Sequence, residues 1–275
     1  MLSVDLHLHS NHSDGMLSPA DLVDRVADAG VELMALTDHD TATGLEAARQ
    51  RCTSRGIRML DGIELSASWR GQTIHIIGLG IDAASPVLAE AIARLGTLRR
   101  ARLEAIAERL ERKSIAGRAL LAQLDLGHHV VTRTHLARAL VAERHVQSTA
   151  QAFKRFLGRG GAAHVASNYP DVAEVVPWIR AAGGVAVLAH PMRYTLSAGA
   201  RRLLVAAFRE SGGAAIEIVC GRAHGHIAPL AALAARFGLA GSVGSDFHDP
   251  QIPWNPPGRL AKLPAGIEPV WQSLA

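Results

Sequence analysis

Only two cysteines, Cys52 and Cys220, occur in the 275 residues. That is too few for a disulfide framework or a thiolate zinc site, and it makes a reducing cytoplasm the default compartment. No apolar run is long enough to cross a bilayer, and Met1 leads into Val4-Asp5-Leu6-His7-Leu8-His9 with neither a charged n-region nor an apolar h-region. Export and membrane insertion are therefore not expected. Lys and Arg number 29 against 25 Asp and Glu, spread along the chain without a basic tail, a balance compatible with anionic substrates. Repeats and low-complexity segments are absent. So are a Ser-His-Asp pattern and the Lys-Ser/Thr of a phosphate loop, which leaves Gly158-Arg159-Gly160-Gly161 as a tight turn.

Histidine is what the chain has in quantity, 14 residues on a background that is 48% hydrophobic and 20% charged. Such a composition can bury a full core in one large domain, or in a domain with a sizeable insertion. Short β-like runs alternate with longer helical stretches, the pattern of an α/β fold with a mostly parallel sheet. Strands are predicted at Ser3 to His9, Leu33 to Thr37, Ile57 to Ile63, Thr73 to Leu79, Gly184 to Ala189, Ala215 to Val219 and Ala240 to Gly244, and seven strands suggest a barrel. A helix from Ser18 to Ala29 opens with Ser18 as N-cap and Pro19 at its first position, and stops at Gly30. From about Ser85 to Val165 the alternation breaks, and only helical sequence remains. Leu103, Ile106, Ala107 and Leu110 recur at helical spacing there, with Arg102, Glu104, Arg109 and Arg112 read as a solvated face. The predicted organisation is a barrel in two parts, residues 1–82 and 167–275, with a helical insertion over 83–166 covering its mouth. The Pro-rich end, with Trp254 and Trp271, reads as an ordered tail wrapped on the barrel.

Successive side chains of a strand face opposite ways, so His7 and His9 lie side by side while Leu6 and Leu8 face the core. The same spacing recurs in Asp246-Phe247-His248, directly after a short apolar strand. Thr37-Asp38-His39, Gly62-Ile63-Glu64, His75 and Ala189-His190-Pro191 also fall at predicted strand ends, where barrel strands converge on one face. Asp14 joins them from the Ser13-Asp14-Gly15 turn. Together His7, His9, Asp14, His39, Glu64, His75, His190, Asp246 and His248 offer imidazole and carboxylate donors without thiolate. That donor set suits Mn²⁺, Zn²⁺ or Fe²⁺ and is too large for one ion, so two or three metals are expected.

In order and spacing these motifs resemble the polymerase and histidinol phosphatase superfamily, the PHP domain, over nearly the whole chain. The resemblance implies a distorted seven-stranded β/α barrel and a metal-dependent phosphoesterase. It also implies a ligand scheme: His7, His9, Glu64 and Asp246 on one metal, Glu64, His75 and His190 on a second that shares Glu64, and Asp14, His39 and His248 on a third. Some members carry His where this chain has Asp14. The expected reaction is in-line attack by a metal-bound hydroxide, with metal-bound water or His248 protonating the leaving oxygen. Two segments of the insertion, Val131-Thr132-Arg133-Thr134-His135 and Phe153-Lys154-Arg155-Phe156-Leu157-Gly158, resemble a branch that removes the 3′-phosphate from nucleoside 3′,5′-bisphosphates and trims short RNA from its 5′ end. On that reading Arg133 and Lys154 contact a substrate phosphate, joined by Arg193 after the His190-Pro191 turn. The expected partners are small nucleotides and short RNA, with Mn²⁺ the first choice of metal and no obligate protein partner. A histidinol-phosphate phosphatase and a non-catalytic module of a DNA polymerase are the competing readings. The long helical insertion argues against the first, and the intact ligand set, with the chain ending just after the barrel, against the second.

Other polar residues have smaller expected roles. His12 is a candidate substrate contact, although its turn also suits a solvent-facing residue. Asp5 lies one step deeper than His7 and is expected to orient it, and Asp38 and Asp40 are helix caps or partners of His39. His128 and His129 read as surface, His224 and His226 as residues leading into a helix near the mouth, and Cys220 as a packed small residue.

Overall fold

The computed structural model describes residues 2–124, 130–222, 224–252 and 255–274. Its strands are β1 (Val4–Asp5), β2 (Leu33–Leu36), β3 (Arg58–Trp69), β4 (Gln72–Leu79), β5 (Val185–Leu188), β6 (Ala215–Cys220) and β7 (Ala240–Gly244). They form one seven-stranded sheet in sequential order. β2 is an unbroken apolar run, Leu-Met-Ala-Leu, buried throughout, as a strand covered on both faces must be. Around the sheet lie α1 (Pro19–Asp28), α2 (Leu45–Arg55), α7 (Val172–Ala181), α8 (Ala198–Glu210) and α9 (Ile227–Phe237). In α1 the Ser18 side chain accepts from the Asp21 amide, Pro19 opens the helix, and Leu22, Val23 and Val26 form the buried stripe.

β1 is shorter than predicted, yet the chain continues extended beyond it and closes the sheet. Leu6 N donates to Val243 O at 3.0 Å, Asp246 N donates to His7 O at 2.8 Å, and Leu8 bridges Phe247. Leu6 and Leu8 are fully buried, so the predicted alternation around His7 and His9 holds outside regular strand. The larger departure is β4. It runs antiparallel to both β3 and β5, in a sheet whose other pairs are parallel. Its cause is the turn at Arg70 and Gly71, with φ of 48° and 74°: two residues make a hairpin and leave no room for a crossover. His75 therefore reaches the mouth from the first half of a reversed strand, while β3 carries Glu64 past the end of β2.

Between Ser85 and Val165 the described residues form helices and turns: α3 (Pro86–Glu111), α4 (Gly117–Gln123), α5 (Arg133–Ala142), α6 (Thr149–Ala152) and a π-type turn, Phe153–Leu157. The first half of α3 sends Leu88 and Leu95 into the main core. Its second half contributes Leu103, Ile106 and Leu110 to a separate cluster with Leu136, Leu140 and Leu157. One residue of the expected solvated face is misplaced by the sequence reading, because Arg102 is buried, 8% exposed, with Nε donating to Val165 O at 3.0 Å. It lies one turn before Ile106, on the apolar stripe itself. At the C-terminus Trp271 and Leu274 pack on the main core, while Trp254, His128 and His129 lie outside the described residues.

Candidate metal centre

The nine expected donors meet in one place. His7 Nε2 lies 3.1 Å from His9 Nε2, 3.4 Å from Glu64 and 3.3 Å from Asp246. Glu64 is the hub: His9 at 3.3 Å, His39 at 2.8 Å, His75 at 3.2 Å and His190 at 3.1 Å all face its carboxylate. Asp14 lies 3.2 Å from His248 Nε2 and 3.8 Å from His39 Nε2. Donor atoms converge within 4.8 Å in four overlapping groups: His9, Asp14, His39 and His248; His7, His9 and Asp246; His7, Glu64 and His190; and His39, Glu64 and His75. His7, His9 and His39 each fall in two groups where the family-like scheme gives them one metal, since neighbouring rings lie close, His9 being 5.1 Å from His7 and 4.6 Å from His39 between ring centres.

Local backbone geometry aims these side chains. His190 and Asp246 adopt positive φ, 29° and 52°, as does Asp40 at 51°, conformations that cost about 1–3 kcal/mol for non-glycine residues and are held by the surrounding structure. Gly244 permits the close approach behind His7, because a Cβ there would lie 2.2 Å from His7 Cβ and 2.7 Å from Glu217 Oε1. Glu217 is the residue the sequence reading missed. Fully buried in β6, it accepts from His7 Nδ1 at 3.0 Å and from the His190 amide at 2.7 Å. Its only sequence signal is a carboxylate alone in the apolar run Ala-Ile-Glu-Ile-Val-Cys. Binding His7 through Nδ1 leaves Nε2 to face the cluster.

The other acidic residues near the motifs take supporting places. Asp5 lies beneath His7 and accepts from the Ser245 amide at 2.8 Å, and Asp38 accepts from the hydroxyls of Ser10 and Ser13 at 2.5 and 2.6 Å. Asp40 accepts from the Ser66 amide at 2.7 Å and pairs with Arg99 of α3. The insertion also reaches Asp14, through Thr132 Oγ1 at 3.0 Å and Arg138, which donates to its carbonyl at 2.9 Å.

The donor set fits divalent cations on two observations. Asp14 Oδ1, His39 Nδ1, Glu64 Oε2, His75 Nδ1 and His190 Nδ1 are buried without a well-aligned hydrogen bond, most of them in close imidazole–carboxylate contact only, which proteins rarely tolerate unless something else satisfies them. The carboxylates are also held ionised, the form a cation requires. Burial would raise Glu64, but His39, His7 and His75 hold it well below the usual range; His248 and His39 do the same for Asp14, and Arg193, His7 and His248 for Asp246. Burial lowers His9 to about 3 and His75 to about 4, whereas Asp14 and Asp246 overcome burial at His248 and raise it to about 9.

Two cavities open from the cluster, and a third adjoins both. The largest, about 650 Å³, is bordered by His190, Asp246 and His248 and by Arg193, Arg222 and His226. A narrow one of about 110 Å³ has Asp14, His39 and His75 on one side and Arg99, Arg102 and Arg133 on the other. The third, about 430 Å³, shares Thr73, Arg102 and Arg133 with the second and Arg193 with the first. Arg193 pairs with Asp246 and is half-exposed. Arg133 is half-buried over the Phe153 ring, whereas Lys154 is exposed and lines none of the three. His12 lines none either, its ring lying 2.8 Å from the Thr43 hydroxyl. Cys220 borders the large cavity, its thiol pushed up by burial and by Glu217, so it has little thiolate character.

Known proteins match this chain along its length. It is 41% identical to the 5′-3′ exoribonuclease Rnm of Escherichia coli, over 98% of this chain and 92% of that protein. It is 37% identical to a 3′,5′-nucleoside bisphosphate phosphatase of Chromobacterium violaceum, over 100% of this chain and 97% of that one. A solved structure from Chromobacterium violaceum, described as an amidohydrolase with bound sulfate and no metal, superposes with a TM-score of 0.89 at 38% identity, covering 99% of this chain and 95% of that one. Residues 5–161, more than half of the chain, match the sequence profile of the PHP domain, and with these relatives they make the chain a member of the PHP domain family.

Proposed function

We propose that this chain is a metal-dependent phosphoesterase that removes the 3′-phosphate of nucleoside 3′,5′-bisphosphates and trims short 5′-phosphorylated oligoribonucleotides from the 5′ end. The observation that carries the reading is the set of buried nitrogen and oxygen donors, several without an aligned hydrogen bond, clustered around Glu64. The names of the two full-length relatives supply the substrate class. His7, His9, Glu64 and Asp246, then Glu64, His75 and His190, then Asp14, His39 and His248 would hold two or three divalent cations, with Mn²⁺ the first choice and Zn²⁺ or Fe²⁺ the alternatives. Such cations, when bound, polarise a phosphoryl oxygen and lower the pKa of water.

The chain's own groups have separable tasks around them. Glu64, facing five imidazoles, would be shared between cations and offset their charge. Glu217 and Asp5 orient His7 from behind. Arg193, between two of the cavities, can pair with a phosphate oxygen as well as with Asp246. His248 Nδ1 lies 3.0 Å from the Asp246 carbonyl, so its Nε2 is the atom facing Asp14. That atom cannot both hold a metal and carry the proton for a leaving alkoxide, so the geometry favours His248 as a ligand. The test is phosphate release from adenosine 3′,5′-bisphosphate, histidinol phosphate and a short 5′-phosphorylated RNA with added Mn²⁺. Adenosine 5′-phosphate as the product of the first is expected, and a preference for histidinol phosphate or release of the 5′-phosphate would overturn the assignment.

A further inference from the structure

Eight of the nine expected ligands lie in a strand or within four residues of its end, whereas Asp14 sits in the loop between β1 and α1. The base of that loop is tied to the barrel, where Asp38 accepts from the hydroxyls of Ser10 and Ser13. The Asp14 carboxylate is aimed from elsewhere. Thr132, 4% exposed at the N-cap of α5, donates its single hydroxyl proton to Asp14 Oδ2 at 3.0 Å and accepts from the Thr134 amide at 3.0 Å. Oδ1 is thereby left facing His248 and His39, the two imidazoles expected to share a metal with it. Arg138, on the same helix, donates to the Asp14 carbonyl at 2.9 Å, and the Val130 amide donates to the His12 carbonyl at 3.1 Å. Among the described residues, Asp14 is the one expected ligand whose side chain accepts a hydrogen bond from the insertion. α5 buries Leu136, Ala137 and Leu140 in the insertion's own apolar cluster, separate from the barrel core. What joins α5 to the Asp14 loop is therefore directional hydrogen bonding.

We propose that Thr132 and Arg138 are positioning residues for the site of Asp14, His39 and His248, and that filling this site and seating α5 over the barrel mouth are coupled. The proposal rests on the metal reading above. A carboxylate fixed at one oxygen presents the other in one direction, and partners of this kind typically contribute about 10- to 100-fold in metal affinity. The coupling is reciprocal: whatever factor the seated helix adds to the affinity of this site, a cation there adds to the seating of the helix. Ligands of the other two proposed sites are braced from within the barrel, His7 and His190 by Glu217 and Asp246 by Arg193. Those sites should be indifferent to α5.

The test is calorimetry of Mn²⁺ binding to chelator-treated wild type, Thr132→Val, Thr132→Ser and Arg138→Met, with Asp14→Ala marking which equivalent belongs to this site. Thr132→Val and Arg138→Met should each weaken that equivalent about 10- to 100-fold and leave the others within about twofold. Thr132→Ser keeps the hydroxyl and should bind as wild type does. Thr132→Val also removes the cap of α5, which Arg138→Met leaves in place, so the arginine variant decides the matter if the first one unfolds the helix. Hydrogen exchange at the α5 amides should slow when this equivalent binds to wild type, and should not in Thr132→Val. Equal weakening of every equivalent, unchanged affinity in both variants, or exchange indifferent to this equivalent would overturn the proposal. If Asp14→Ala loses no equivalent, the proposal falls while the phosphoesterase reading, which two cations satisfy, stands; if wild type binds no metal, both fall.

Discussion

Removing the Glu217 carboxylate should weaken metal binding at a centre it does not itself border. Glu217 is fully buried and serves two donors, His7 Nδ1 at 3.0 Å and the His190 amide at 2.7 Å. In Glu217→Ala both donors lose their acceptor in a place water does not reach, at about 1–3 kcal/mol each, or about 2–6 kcal/mol together. Removing a buried charge offsets part of that loss. The His7 ring is then free to turn Nε2 away from His9 and Asp246, and partners of this kind typically contribute about 10- to 100-fold in metal affinity. Glu217→Gln keeps one oxygen and the shape, so it should fall between wild type and Ala. The assay is calorimetric titration of chelator-treated protein with Zn²⁺ or Mn²⁺, alongside urea unfolding. If Glu217→Ala binds metal within about twofold of wild type and unfolds at the same urea concentration, Glu217 does not position His7 and the reasoning fails.

Other expectations follow from the same geometry. Elemental analysis after saturation with Mn²⁺ should find more than one equivalent per chain, and one or fewer would refute the shared ligand assignment. Glu64→Gln should lower turnover by at least about 100-fold and reduce bound metal, because the amide cannot offset two cations, and near-normal turnover would remove Glu64 from the bridge. Asp5 has one oxygen without a partner, and burial raises its carboxyl from 3.8 to about 7. With the folded value above the unfolded one, its contribution is present below about pH 4 and lost as pH rises through about 7, an upper bound of roughly 4 kcal/mol. Chelator-treated Asp5→Asn should therefore gain stability relative to wild type across that window in urea unfolding, and a difference independent of pH would contradict this.

Much of the candidate centre was legible because its expected ligands come in short motifs. His7-x-His9 and Asp246-x-His248 follow from the alternation of extended chain, and Thr37-Asp38-His39 and His190-Pro191 end short apolar runs of strand length. The insertion was legible as helix, yet its chemistry was misread at Arg102. The signal was present: Leu95, Arg99 and Leu103 are spaced by four, as are Arg102, Ile106 and Leu110, so both arginines occupy positions of an apolar stripe. A charge at such a position either pairs with something or awaits it. Lys154 stood out as a cation near a helix end, but proximity in sequence did not bring it to any of the cavities.

The division has a physical reason. Which residues could be ligands, and which segments are strands or helices, depends on neighbours within a few positions, where side-chain direction follows from backbone type alone. The reversal of β4 was also local in origin, in the Arg70-Gly71 turn, but its effect on His75 was not. Glu217 carried one local mark, a carboxylate alone in an apolar run, but that mark names no partner, and only the pairing of β5, β6 and β7 brings it against His7 and His190. In the same way, the burial of Arg102 depends on every group that folds around it. Sequence spacing determined the inventory of the candidate metal centre, and closure of the barrel decided which groups lie behind it.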